Sequence, residues 1–280
     1  MHLAIIGTGK MGTTLFQWAV ERDIELTLCS RSEENIRQQE ARFLRKLDRM
    51  ARRGGAAAEQ AAARKATAHF TTSIADLGGV DFILECSPEN LETKTPVLRA
   101  MEDAVGPDAL VLSNTSFISL TYLAQKLKRP ERFCGLHFFN PIMVIPIAEV
   151  ITWKGVAKGV TERLLKLCDV LQRPGIVMAD GPGSPINWIL ACLYVEALYL
   201  LEEGAVLPDR LDQLARRHFS PGPCEAIDSL GIEFILQGLS MFTLGMDGHT
   251  TDWLRTDTLE LTPEEAGGRV GFHVPWLFSR

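Results

Sequence analysis

An α/β fold, in which a doubly wound and mainly parallel sheet is followed by a smaller all-helical domain, is predicted by three features of this 280-residue sequence. Short β-branched apolar runs alternate with helical segments through the first part of the chain, the pattern of strands joined by crossover helices. The first run, LAII, ends directly in a glycine-rich turn that opens a helix, as the leading strand of such a sheet does. Beyond Asp180-Gly181-Pro182-Gly183 the alternation stops and only helical periodicity continues. The boundary is placed there, with an α/β domain over residues 1–182 and a helical domain over 183–280.

Taken in order, residues 3–6 suit a strand buried on both faces. A helix is expected from Met11 to Arg22 and a strand from Leu26 to Cys29. Ser32-Glu33-Glu34 then resembles a helix N-cap followed by acidic first-turn residues, which suit the positive end of the helix dipole. Ala56 to Arg64 is alanine-rich and reads as helix. Strands follow at Asp81 to Cys86, Ala109 to Leu112, Phe133 to His137 and Ile176 to Met178. In the second domain helices are expected at Ile186 to Glu203, Asp209 to Arg217, Glu225 to Leu230 and Glu233 to Phe242, whereas Asp252 to Arg280 gives no clear pattern.

Composition narrows the function classes. The net charge of −6 and pI near 5.6 give no bulk attraction to nucleic acid or to an anionic membrane, so neither is expected as a partner. The six cysteines (Cys29, Cys86, Cys134, Cys168, Cys192, Cys224) form no CxxC pair and no Cys/His cluster at ligand spacing. No metal is expected, and the chain reads as a reduced, cytoplasmic protein. The start MHLAIIGTG lacks the basic region and cleavage site of a signal peptide. The longest apolar stretch, Ile186 to Leu201, is interrupted by Asn187 and Glu196 and falls short of the ~20 residues of a membrane span.

GTGKMG, with Gly7, Gly9 and Gly12, has the context that gives a G-x-G-x-x-G string meaning: a strand before it and a helix after it. Gly7 permits the turn, Gly9 lets the backbone approach a pyrophosphate, and Gly12 allows close helix–sheet packing, while the first-turn N–H groups around Lys10 and Met11 offer donors. This is a Rossmann-type nicotinamide dinucleotide site. A tight turn without a ligand is the competing reading. The second strand of such a site usually ends in an acid that binds the ribose hydroxyls of NAD. Here that place holds Ser30, with Arg31 after it. Hydroxyl and guanidinium suit a 2′-phosphate, so the reading leans to NADP, with NAD as the alternative if Ser30 bonds a ribose hydroxyl and Arg31 stacks or stays in water.

GLHFFNP, residues 135–141, places one imidazole among bulky apolar side chains, either as a core histidine or as a proton carrier. With GTGKMG, SPENLETK at 87–94, SNTS at 113–116 and IAEVI at 147–151, it makes the chain resemble the 3-hydroxyacyl-coenzyme A dehydrogenase family over roughly the first 190 residues. That resemblance implies reversible hydride transfer between a nicotinamide and C3 of a 3-hydroxyacyl thioester. It also implies His137 as general base, Glu149 as the acid that orients it, and Ser116 and Asn187 as polar contacts to the substrate oxygen. Glu89 and Lys94 would lie along the nicotinamide ribose and Asn140 near the carboxamide, and the helical domain would pair two chains into a homodimer. Surface helix charges are the competing reading for Glu89 and Lys94, turn chemistry for Asn140, and a capping amide for Asn187.

Arg42, Arg45, Lys46, Arg49, Arg52 and Arg53 recur at helical spacing with only Glu40 and Asp48 among them. The stripe is either a solvated face or a receiver for the phosphates of coenzyme A or for an acidic acyl carrier protein. The chain also departs from the family. The ribose-binding acid is missing. Gly183-Ser184-Pro185-Ile186-Asn187-Trp188 stands where the family shows G-F-x-x-N-R, and Gly268 to Phe272 is a faint echo of the family's C-terminal end. Gly222-Pro223-Cys224-Glu225 does resemble its second-domain G-P-x-E turn. These departures point to an unusual acyl group. Two other readings stay open: a dehydrogenase of a free hydroxy acid or sugar acid, and a non-catalytic cofactor-binding protein.

Overall fold

The computed structural model describes residues 1–238 apart from 141, 144, 182–184, 219, 234 and 237. The chain separates into two compact units, Met1–Asp180 and Gly181–Arg280. In the first, β1 (His2–Ile6), α1 (Lys10–Ala19), β2 (Glu25–Cys29), α2 (Glu33–Ala51), α3 (Gly55–Thr67) and β3 (Ala68–Thr71) come first. Then follow β4 (Phe82–Glu85), α4 (Leu91–Ala104), β5 (Leu110–Ser113), α5 (Leu120–Ala124), β6 (Phe133–Phe138), β7 (Ala148–Thr152), α6 (Val160–Val170) and β8 (Gly175–Ala179).

These strands form one eight-stranded sheet in the order β3-β2-β1-β4-β5-β6-β7-β8. Every neighbouring pair is parallel except β6 and β7, so the fold is Rossmann-type with one antiparallel step. Strand order reverses between β1 and β4. A crevice opens outside the carboxyl ends of the strands at such a reversal, and that is where ligands bind in open α/β sheets. The loops after β1, β2, β4 and β5 and the end of β6 all lie on this edge.

The core follows from the apolar runs. Leu3, Ala4 and Ile5 of β1, Ile83 and Leu84 of β4, and Leu112 of β5 are fully buried, and Leu15 of α1 packs in one cluster with Leu3, Ile5, Leu84 and Leu112. β3 was not anticipated, because AHFT is short and half polar. Its Phe70 explains it: the ring sits 5.2 Å from Phe16 of α1 and 5.7 Å from Phe43 of α2, forming an aromatic knot that ties both helices to this sheet edge. Ser32 caps α2 as expected, its hydroxyl accepting from Asn35 N at 3.2 Å.

In the second unit the described helices are α7 (Pro185–Glu202), α8 (Pro208–Ala215) and α9 (Pro223–Leu230). Tyr194, Val195 and Leu198 of α7 pack with Ile227 of α9 and Ile235 into a separate small core. By length and composition alone α7 would suffice to cross a membrane. The G-P-x-E segment is the start of α9, where Asp212 of α8 accepts from Cys224 N at 2.8 Å and Glu225 N at 3.0 Å. Most of the helix expected from Glu233 to Phe242, and all of Asp252 to Arg280 with Gly268 to Phe272, lie outside the described residues.

Candidate active site

The glycine loop shows why three glycines stand at these places. Gly7 has φ +120°, and a Cβ there would lie 2.6 Å from the Cys86 carbonyl oxygen. At Gly12 a Cβ would run into the Gly7 carbonyl oxygen, so α1 could not approach the loop. Gly9 differs: it is exposed, and a Cβ would meet nothing within 4 Å. Protein packing therefore does not require this glycine, whereas a phosphate approaching the backbone does. The first intrahelical bond of α1 runs from Thr13 N to Gly9 O, so the N–H groups of Met11 and Gly12 precede it and face the helix's positive end. This cradle fits a dinucleotide pyrophosphate. One strand over, Ser30 follows β2 and its hydroxyl accepts from Thr8 Oγ1 at 3.0 Å, with Arg31 exposed beside it.

The four residues of SNTS at the end of β5 each hold a different partner. Ser113 Oγ donates to Glu85 Oε2 at 2.6 Å. The Asn114 side-chain oxygen accepts from Phe138 N at 2.8 Å, fixing the loop to the end of β6. Thr115 Oγ1 donates to Glu89 Oε1 at 2.5 Å. Ser116 Oγ lies 3.1 Å from His137 Nε2.

His137 and Glu149 are directly opposite each other in the antiparallel β6–β7 ladder, so their side chains leave the same face of the sheet. His137 Nδ1 is 2.7 Å from Glu149 Oε2, and both side chains are buried. An ionised carboxylate only accepts, so this contact places the proton on Nδ1 and leaves the Nε2 lone pair towards the Ser116 hydroxyl. The Phe139 ring stands edge-on to the imidazole at 4.7 Å. The result is a hydroxyl–imidazole–carboxylate relay at the carboxyl edge of the sheet that carries the glycine loop.

Glu89 and Lys94 are not surface charges. Lys94 is 1% exposed, and its ammonium donates to Glu85 Oε1 at 2.9 Å, Glu85 Oε2 at 3.1 Å and the Ser87 carbonyl at 3.2 Å, with Glu89 Oε2 also at 3.1 Å. Burial works against the Lys94 charge, but the two carboxylates outweigh it and hold its pKa above 10.5. Burial likewise opposes ionisation of Glu89, yet the Lys94 ammonium and the Thr115 and Phe117 hydrogen bonds hold its carboxyl below 4.5. Glu85, fully buried at the end of β4, had no assigned role in the sequence. Its one legible signal is an acid closing an apolar strand; besides the local Ser87, its partners Lys94 and Ser113 lie 9 and 28 residues away.

Asn140 is half-buried two residues past β6, and Pro141 lies outside the described residues. Asn187 is the third residue of α7 in the second unit and is half-buried. Of the basic stripe, Arg42, Arg45 and Arg49 are exposed on α2, while Lys46 pairs with Glu21 at 2.7 Å. Arg52 and Arg53 fall beyond Ala51, the last residue of α2, so they extend the stripe past the helix rather than along it. Among the described residues no group of His, Cys, Asp and Glu could hold a metal ion.

Residues 2–181 match the family described as the 3-hydroxyacyl-CoA dehydrogenase, NAD binding domain. The chain is 26% identical to a 3-hydroxybutyryl-CoA dehydrogenase of Clostridioides difficile over 84% of its own length and 85% of that protein's. It is 31% identical to the fatty acid oxidation complex subunit alpha of Pseudomonas aeruginosa over 82% of its length, but spans only 32% of that longer protein. The solved (S)-3-hydroxybutyryl-CoA dehydrogenase PaaH1 of Ralstonia eutropha superposes with a TM-score of 0.78 at 27% identity, covering 88% of each chain. A cofactor cradle at a strand-order reversal, a paired imidazole and carboxylate beyond it, and a family match over residues 2–181 lead to one assignment: the chain belongs to the 3-hydroxyacyl-CoA dehydrogenase family of nicotinamide-dependent oxidoreductases.

Proposed function

We propose that this protein interconverts a 3-hydroxyacyl thioester and its 3-oxo form, with His137 as general base, Glu149 as the group that orients it, and Ser116 as a contact to the substrate oxygen. The observation that carries this reading is the Ser116–His137–Glu149 relay, with contacts of 3.1 and 2.7 Å. In the oxidative direction Nε2 takes the C3 hydroxyl proton while Nδ1–H stays bonded to Glu149, whose negative charge stabilises the imidazolium that forms. The bound nicotinamide supplies the hydride acceptor. Ser116 holds the substrate oxygen against Nε2, and the family resemblance gives Asn187 the role of a further polar substrate contact.

Met11 and Gly12 N–H groups, with Gly9 and Lys10, hold the pyrophosphate, and Ser30 and Arg31 meet the adenosine ribose. A hydroxyl in place of the acid, with a guanidinium next to it, favours NADP over NAD. Glu89, Lys94 and Asn140 order the nicotinamide end of the site. Arg45, Lys46, Arg49 and Arg53 form the basic surface for the carrier of the acyl group, coenzyme A or an acyl carrier protein. The helical domain from residue 183 joins two chains as a homodimer in the cytoplasm. The test is a matrix of turnover with NAD and NADP against coenzyme A-bound, carrier-bound and free 3-hydroxy acids. Turnover of thioesters with NADP preference is expected; turnover of free acids alone would replace this reading with the hydroxy-acid one, and a strong NAD preference would remove the role given to Arg31.

A further inference from the structure

We propose that Glu85 is a positioning residue of this site, acting through Ser113 and Lys94 on the loop that presents Ser116 to His137. The inference rests on the reading above and deepens it.

Glu85 is completely buried, yet three residues, Ser87, Lys94 and Ser113, donate hydrogen bonds to its carboxyl oxygens. Its Oε2 accepts from Ser113 Oγ, and its Oε1 accepts from Ser87 N and Ser87 Oγ. Both oxygens bond Lys94 Nζ. A buried carboxylate with no role would be costly to retain, because desolvation exceeds what one ion pair returns. Here it forms one half of a clamp. Lys94 is shared between Glu85 and Glu89, so its ammonium sits between two carboxylates. Glu89, held by that ammonium, turns its Oε1 to the backbone: Ser116 N and Phe117 N each donate at 2.9 Å, and Thr115 Oγ1 donates as well.

Glu85 therefore governs the loop at both ends. It fixes the start directly through Ser113, and it fixes the Ser116 amide through Lys94 and Glu89. Within this loop it is Ser116 whose hydroxyl lies 3.1 Å from the imidazole Nε2. Neutralising Glu85 leaves Lys94 with a single carboxylate, which draws Glu89 towards the ammonium and away from the Ser116 and Phe117 amides. Relays of this kind lose rate steeply with small displacements, since an error near 1 Å costs on the order of a hundredfold.

The test is a double-mutant cycle in the full chain, read as single-turnover rates with a short 3-hydroxyacyl coenzyme A thioester at saturating cofactor. At that saturating cofactor, Glu85→Gln in the wild-type background is expected to slow the hydride step by about tenfold or more. In the Ser116→Ala background the same change is expected to alter the rate by less than about twofold, because the group it positions is gone. A general structural role would instead slow both backgrounds equally, and that result, or an unchanged rate in Glu85→Gln, overturns the proposal. Should Glu85→Gln not fold, Ser113→Ala removes one arm of the clamp and carries the same comparison. His137→Ala is the control for the underlying reading: wild-type turnover there would defeat the proposed reaction, whereas an inactive His137→Ala beside a normal Glu85→Gln defeats only the role of Glu85.

Discussion

Two regions on the same edge of the sheet solve opposite problems. The β1–α1 loop is built from backbone and absence: glycines whose missing Cβ atoms leave room, an exposed Gly9, and first-turn amides. The region from β4 to β7 is built from side chains, with Glu85, Lys94, Glu149 and His137 all buried and bonded to one another or to serines and backbone groups. The contrast follows from what each must do. An anion is bound by fixed dipoles that solvent exposure weakens but does not abolish. A proton is moved only if donor and acceptor are held within hydrogen-bond reach and the correct tautomer is enforced, which takes a buried, over-determined network. Binding should therefore fail through lost space on one side, and turnover through lost alignment on the other.

The sharpest break of this contrast is Glu149→Gln. The amide is close in shape but no longer fixes the imidazole proton on Nδ1 or balances the imidazolium, so kcat should fall by about 10²-fold or more while cofactor affinity stays within about twofold. Stopped-flow turnover with a fluorescence titration of reduced cofactor measures both. On the other side, Gly9→Val should fold normally, since its Cβ meets nothing within 4 Å, yet weaken cofactor binding by about tenfold or more through lost approach. Gly12→Val is the internal contrast, because it clashes with the Gly7 carbonyl and should lower the melting temperature first. If Gly9→Val binds cofactor like wild type, the open cradle has been misassigned.

A smaller effect is expected at the basic stripe. Arg45→Glu with Arg49→Glu should lower kcat/KM for carrier-bound substrates several-fold, on the order of 1 kcal/mol, and lose that effect at high salt, leaving kcat unchanged. The smallest effect is on stability against pH. Glu89 is held below 4.5 when folded, so its contribution is present above 4.5 and lost as pH falls through its depressed value. Lys94 is held above 10.5, so its contribution is present below 10.5 and lost as pH rises through its raised value. Glu89→Gln should flatten the acid limb of a melting-temperature profile and, because Glu89 is one of the two carboxylates that raise Lys94, shift the alkaline limb to lower pH; an unchanged acid limb would mean Glu89 is not held ionised.

What the sequence made legible follows the same division. The glycine loop, the strands rich in Ile, Leu and Val and the Ser32 cap rest on local signals, whereas the His137–Glu149 pair came from the family resemblance. β3 was missed because AHFT has no apolar run and is secured by Phe70 contacts with Phe16 and Phe43, both distant in sequence. Glu85 was missed for a related reason: β4 and β5 must lie side by side before Ser113 reaches it. Lys94 read as a cofactor contact or a surface charge; its ammonium is enclosed by Glu85, the Ser87 carbonyl and Glu89, which removes the surface reading. Charge in a sequence suggests solvent; only the fold shows which charges it buries against one another.

The central claim, that the β6–β7 pair moves the substrate proton, is tested most directly by kcat of His137→Ala with a 3-hydroxyacyl thioester, measured beside its cofactor affinity. A fall of roughly 10²- to 10⁴-fold in kcat with cofactor binding retained is the predicted result. Turnover within a few-fold of wild type would contradict it and return His137 to the core.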